Sequence, residues 1–480
     1  MTTTEAVRQS PAAAPARPRP PQTGFGQLLL RLHFYAGIFV APFLLVAALT
    51  GLAYTITPQL ERFVYHDELV VASTNGTPKP LTDQIAAARA AVPDGTPVTL
   101  RPGSGAATTQ IDFAVPTLDE EHRRTVYVDP YTAQVTGELT TWFATTPVRT
   151  WFDDLHRNLH LGVAGRYYSE FAASWLAVLT LGGLALWWRR VRSVRRLAVP
   201  DLAARKGVRR TRGFHASLGV WLTVGMLFLS VTGLTWSRFA GGNFSAALDA
   251  IRGGTPSLST TIEGPAPAAT GGHHGGGVST PAPPAPADAA AADRVLAIAR
   301  SNGLSGPVEM GVPADSATAW SVAQIDQTAP LRLDKIAIDG ATGKIVDRSD
   351  FADWPLGAQL SKIGISAHMG NLLGVANQVL LALLAIGLIC VIVWGYRMWW
   401  QRRPTRADRK ALVGTPLGER GAWQKLPAWA VVAGVPIVLF GAWAVPLFGV
   451  PLAAFLLVDV AAGALGRRRS RRAVPVSPAP

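Results

Sequence analysis

Apolar residues in this chain run in long blocks instead of recurring at amphipathic spacing, and two of the gaps between blocks are polar for more than a hundred residues. A helix needs about 20 mostly apolar residues to cross a hydrocarbon core of about 30 Å. The stretches 28–56, 171–188, 214–236 and 375–400 each supply that, and each predicts one membrane span. A fifth block, 427–465, is interrupted by Pro436, Pro446 and Pro451. Proline removes a helical hydrogen bond and clashes with the preceding turn, so this block predicts two short spans that turn near 446–451, giving six in all.

The blocks also repeat. Shifted by 182 residues, the first span lies over the third, so that His33, Gly37, Thr50, Gly51 and Leu52 fall on His215, Gly219, Thr232, Gly233 and Leu234. The second and fourth spans share a frame as well. His160-Leu-Gly162 precedes one and His368-Met-Gly370 the other, and they close on Trp187-Trp188-Arg189-Arg190 and Trp399-Trp400-Gln401-Arg402-Arg403. Tryptophan followed by arginine is an interfacial anchor, with the indole at headgroup level and the cation in water. The two long polar segments match in pattern too. Each runs from a helical stretch into short alternating strands and then a strand, a turn at Asp129-Pro130 or Asp339-Gly340, and a strand. Each half therefore reads as span, outer domain, span, and the halves are tandem repeats in one orientation.

Charge sets the orientation. Lys and Arg total 45, of which 27 lie in the N-terminal segment, in 189–212, in 397–425 and in the tail 467–472. The segments 58–170 and 238–364 are net negative, at −5 and −3. Basic residues are retained in the cytoplasm, so both termini are expected inside a bacterial plasma membrane and both long segments outside. The net charge of +14 is then topological and meets anionic lipid heads; nucleic acid is not an expected partner. The single Cys390 lies in an apolar span, which excludes disulfides and cysteine-ligated metal clusters.

The resulting fold class is a membrane all-α bundle of about six spans in tandem repeat, carrying two small α+β extracytoplasmic domains. Along the chain this gives a disordered cytoplasmic arm at 1–24, a first span at 25–57 and a first outer domain at 58–150. An outer histidine helix with the second span follows at 151–190, then a basic loop at 191–212 and a third span at 213–238. An outer loop with a Gly, Pro and Ala-rich linker occupies 239–288, and a second outer domain 289–364. The fourth span covers 365–401, a cytoplasmic loop 402–426, a two-span hairpin 427–466 and a basic tail 467–480.

These features together resemble the PepSY-associated transmembrane proteins, often described as iron-regulated membrane proteins. The resemblance rests on spans that open with a histidine and close with Thr-Gly, on Leu155-His156-Arg157-x-x-His160 before the second span, and on the outer hairpins; it covers about 25–403. It implies PepSY-like outer domains and a role in iron- or haem-linked electron transfer, some relatives being similar to siderophore-iron reductases.

The histidines are the candidate chemistry. His33 and His215 lie inside the cytoplasmic ends of the first and third spans, while His156, His160 and His368 lie at the outer ends of the second and fourth. An ionisable side chain in the apolar zone is costly and faces a ligand or the bundle interior. Two neutral imidazoles from facing helices supply both axial ligands of a b-type haem. His33 with His215 would form an inner site, and His368 with His160 or His156 an outer one, for one or two haems; interhelical hydrogen bonding is the alternative. Asp153, His156 and His160, spaced by three and four, share one helical face and also suit a metal ion such as iron. The glycines read as points of close helix approach. His273 and His274 stand in a glycine-rich linker without a preorganised site, and His66 and His122 have no partner at useful spacing. No nucleotide or flavin fingerprint is present, so electrons from the cytoplasm require a separate donor. Outside, the expected partner is a ferric siderophore, ferric iron or another protein. Two rival readings stand beside electron transfer: a non-enzymatic regulatory binding module, and a carrier for an iron complex.

Overall fold

The computed structural model describes residues 24–191, 193–200, 202, 206–262, 290–402 and 426–472. The N-terminal arm, most of the linker with His273 and His274, and the loop 403–425 lie outside these residues.

The first apolar block folds as two helices, α1 (Gly24–Phe39) and α2 (Ala41–Tyr54), bent by 56° at their junction. Pro42 explains the bend, because it cannot donate to the Ile38 carbonyl one turn earlier. The Tyr396 hydroxyl donates to that carbonyl instead, at 2.9 Å. Two short helices follow, α3 (Thr57–Val64) and α4 (His66–Leu69), and then α5 (Leu81–Ala91) with strands β1 (Thr96–Arg101), β2 (Thr109–Ala114), β3 (His122–Val128) and β4 (Val135–Trp142). Helix α6 (Pro147–Asn158) leads into the long α7 (Gly162–Arg190), a short α8 (Val194–Ala198) and α9 (Val208–Thr235). After α10 (Phe239–Ala250), a second set repeats the first: α11 (Ala291–Ser301), β5 (Val308–Gly311), β6 (Trp320–Gln324), β7 (Lys335–Ile338) and β8 (Ile345–Ser349). Then come α12 (Leu356–His368), α13 (Val375–Arg402) and the hairpin of α14 (Ala428–Ala444) and α15 (Pro446–Arg472).

Among the described residues, α7, α9, α13 and α15 are long and apolar enough to cross a membrane, and the bent pair α1–α2 makes a fifth. The proline-rich block does break between Ala444 and Pro446. Its first half, α14, has 17 residues, which at 1.5 Å each reaches only about 25 Å, short of a full hydrocarbon core. The structure therefore has four to five span-length elements where the hydropathy pattern predicts six.

The helices form a ring in which α9 lies between α7 and α13, and α2 closes the circle against both. Glycines bring α9 and α13 close together: a Cβ at Gly225 would collide with Leu384 of α13, and one at Gly387 with Leu222 of α9. Helix α15 packs outside the ring on α7 and is tied to α1 by a buried ion pair between Arg31 and Asp459.

At one end of the bundle stands a single antiparallel sheet in the order β4-β3-β2-β1-β5-β6-β7-β8. The two polar segments are thus not separate domains, since β1 pairs with β5 and both four-stranded halves share one layer. Alternation explains its faces. Leu100, Ile111, Phe113, Val126 and Val128 from one half, with Val308, Met310, Val322, Ile336 and Ile338 from the other, pack against α5 and α11 in one continuous core. On the opposite face Arg101 bridges the junction, pairing with Asp112 of β2 and Glu309 of β5, both at 2.8 Å. Asp293 of α11 caps α5 by accepting from Leu81 N, Thr82 N and Thr82 Oγ1 at 2.8, 3.1 and 2.8 Å. Both strand turns are built alike, with Asp129 Oδ1 accepting from Tyr131 N and Asp339 Oδ1 from Ala341 N.

Candidate functional site

Two groups of histidines occupy the bundle interior at different depths. At the end away from the sheet, His33 of α1 and His215 of α9 meet edge to face, with ring centres 6.4 Å apart and ring planes 80° apart. His215 donates its Nδ1 proton to the Val391 carbonyl of α13 at 2.9 Å. His33 lies near the Leu179 carbonyl, but its buried Nδ1 makes no well-formed hydrogen bond. Each ring rests against a glycine: a Cβ at Gly183 would come within 3.0 Å of His33 Cε1, and one at Gly395 within 3.7 Å of His215 Cε1. Helix α7 thus covers His33 and α13 covers His215.

At the sheet end, α6 delivers His156 onto α2 and α12 delivers His368 onto α9. His156 Nδ1 lies 3.0 Å from Thr50 Oγ1, and His368 Nδ1 lies 2.6 Å from Thr232 Oγ1. Trp236 and Phe228 flank His368, with ring centres 5.6 and 6.4 Å away. Both imidazoles are half-buried between the helices. Helix α9 carries both levels, with His215 at one and Thr232 at the other. Those seventeen residues of unbroken helix separate the levels by about 25 Å.

The structure does not bring His160 or Asp153 to this site. Helix α6 ends at Asn158, and Leu159 and His160 take left-handed backbone angles, φ 54° and 56°. The three-four spacing therefore leaves the helical face before it reaches His160, which is exposed and lies against Trp151. Asp153 pairs with Arg157 at 3.6 Å. Among the described residues no three His, Cys, Asp or Glu side chains gather as a metal-binding group. His66 is exposed, and His122 pairs with Asp119 at 2.7 Å.

Residue patterning missed Thr50 and Thr232 as histidine partners, and Gly183 and Gly395 as ring supports. The signal was present. At an offset of 212 residues, His156 falls on His368, Gly162 on Gly374, Gly183 on Gly395, and Trp187-Trp188 on Trp399-Trp400. Both Gly162 and Gly374 have φ 56°, so the connectors turn alike. In that frame His160 falls on Leu372, and the frame that set His160 against His368 is four residues out of register.

A ring of long apolar helices, an antiparallel sheet on one end and half-buried histidines between the helices define a multi-pass membrane protein with a helix-enclosed polar centre. The family model described as the PepSY-associated TM region matches residues 30–402, and the chain belongs to that family. No curated protein matches the chain.

Proposed function

We propose that this protein holds b-type haem, one or two groups, within its first four spans and passes electrons across a bacterial plasma membrane to ferric iron or a ferric siderophore. The reading takes the α14–α15 hairpin as two crossings, for six, and the chain as a tandem repeat. Both termini lie in the cytoplasm and 58–170 and 238–364 outside, as the distribution of basic residues requires. A cytoplasmic protein or cofactor supplies the electrons.

The observation that carries it is the spacing of His33 and His215. Two imidazoles bound through nitrogen to one metal have ring centres about 6 Å apart, from metal–nitrogen distances of ~2 Å and about 1 Å more to each ring centre. The observed 6.4 Å matches that separation, and turning one ring out of its edge-to-face contact aims both nitrogens at one metal. The donor set fits as well: His33 Nδ1 is buried without a well-formed hydrogen bond, and at Gly183 a Cβ would press on the His33 ring. Bound there, haem supplies one-electron exchange between ferric and ferrous iron. The chain's own part is to fix four imidazoles, exclude water with the apolar walls of α2, α7, α9 and α13, and space the levels about 25 Å apart along α9.

The test is haem content and reduced-minus-oxidised absorption spectra of purified protein, using variants shown to insert. His33→Ala, His215→Ala and the double variant should damage one spectral component equally, because two ligands of one iron act as a unit. His156→Ala and His368→Ala should damage a second component, and His160→Ala should spare both. Full haem in the His33→Ala, His215→Ala double variant would overturn the reading. So would haem-free wild type expressed with haem supply, which leaves the outer sheet as a regulatory binding module.

A further inference from the structure

We infer that Thr50–Gly51 and Thr232–Gly233 are two copies of a histidine seat, which fixes the tautomer and angle of an imidazole delivered by the helix that follows each outer segment. The seat rests on hydrogen-bond geometry in this chain, and its electron-transfer consequence rests on the haem reading above. A threonine hydroxyl has one proton. Thr50 Oγ1 donates to the Val46 carbonyl at 2.9 Å, and Thr232 Oγ1 to the Phe228 carbonyl at 2.6 Å, each one turn back on its own helix. With that proton committed, the hydroxyl can only accept from the imidazole. His156 and His368 are therefore protonated at Nδ1, and a neutral ring carries one proton, so Nε2 is bare on both.

The glycine completes the seat. A Cβ at position 51 would lie 3.0 Å from His156 Cε1, so the ring rests on bare backbone. At position 233 the corresponding distance is 3.8 Å, an ordinary contact. Neither ring makes a further hydrogen bond among the described residues. The arrangement Nδ1–H to hydroxyl to carbonyl is the outer-shell support that a ligating histidine uses to hold orientation and gain basicity. Thr50 and Thr232 are thus positioning residues. They also distinguish the two levels, since His215 at the other level donates straight to a backbone carbonyl and His33 has no well-formed support.

Loss of the acceptor leaves Nδ1–H unsupported, weakens donation to iron and disfavours the ferric form. Thr50→Val and Thr232→Val should each raise the midpoint potential of the sheet-end component, by about 59 mV for a tenfold shift in the ferric to ferrous balance, and leave the other component unmoved. Thr→Ser at either position should restore the wild-type potential. Gly51→Ala should disturb the same component, whereas Gly233→Ala should be tolerated. Wild-type haem content with unchanged potentials in both valine variants would overturn the seat and leave the haem reading standing. Should a valine variant hold no haem, or the wild type none, nitrogen-15 histidine spectra of cofactor-free protein decide, with His368→Ala assigning the signal. Protonated Nδ1 and bare Nε2 on His368, altered in Thr232→Val, supports the seat; protonated Nε2 in the wild type rejects it.

Discussion

Arg31 and Asp459 show how a single pair of residues can commit a helix. Each is 3% exposed, and the ion pair is the charged tie between α1 and the α14–α15 hairpin. Removing Asp459 strands the Arg31 charge in an apolar setting and costs about 3–5 kcal/mol, whereas replacing both with apolar residues of similar volume is often neutral. Arg31→Ala and Asp459→Ala should each lower the temperature at which the detergent-solubilised protein loses its monodisperse chromatographic peak. The double change Arg31→Met, Asp459→Leu should recover most of the loss. If Asp459→Ala melts like wild type, the pair does not hold α15. Hydropathy reads both residues only as interruptions of apolar blocks that are 428 positions apart, so nothing local could have matched them.

At the level of elements, the sheet depends on contacts between its two halves. Asp293 supplies three hydrogen bonds to the first turn of α5, a cap provided by α11 because Pro80, which precedes the helix, has no side-chain acceptor. Loss of such a cap costs about 1–2 kcal/mol. Asp293→Ala should speed amide exchange across 81–91 while leaving 291–301 near the wild-type rate. Equal acceleration in both helices would mean that the halves open together and that the cap is not local. The bend between α1 and α2 is a second case of one element completing another. Tyr396→Phe should leave the Ile38 carbonyl without its donor and destabilise the protein by about 1 kcal/mol, measured as a shift in thermal midpoint; an unchanged midpoint would show that the bend needs no such support.

For the whole molecule, the sheet stands at one end of the bundle, and the charge distribution predicts that this end faces outside. In a Cys390→Ser background, cysteines at the exposed positions Ser73 and Ser316 should react with a membrane-impermeant maleimide in intact cells, and one added at the C-terminus should react only after lysis. Labelling of the C-terminus from outside would reverse the orientation. Because the first four spans form the ring and α15 packs outside it, truncation after Arg403 should leave any haem spectrum largely intact. Total haem loss from a truncated protein that still inserts would mean that the hairpin forms part of the site.

The sequence by itself determined the membrane character, the four main apolar blocks, the break in the fifth, the uneven distribution of basic residues and the identities at an offset of 182 residues. Each of these is written in local composition, or in a repeat that can be counted. Tertiary structure alone decided the rest. Whether His156 or His160 enters the bundle depends on where α6 ends and the backbone turns left-handed, a matter of one turn of helix that spacing could not settle. The fusion of two hairpin sets into one eight-stranded sheet depends on β1 meeting β5, more than two hundred residues apart, at a junction held by Arg101 and Glu309. Edge pairing uses backbone groups that every strand offers alike, so only the folded arrangement selects which edges meet.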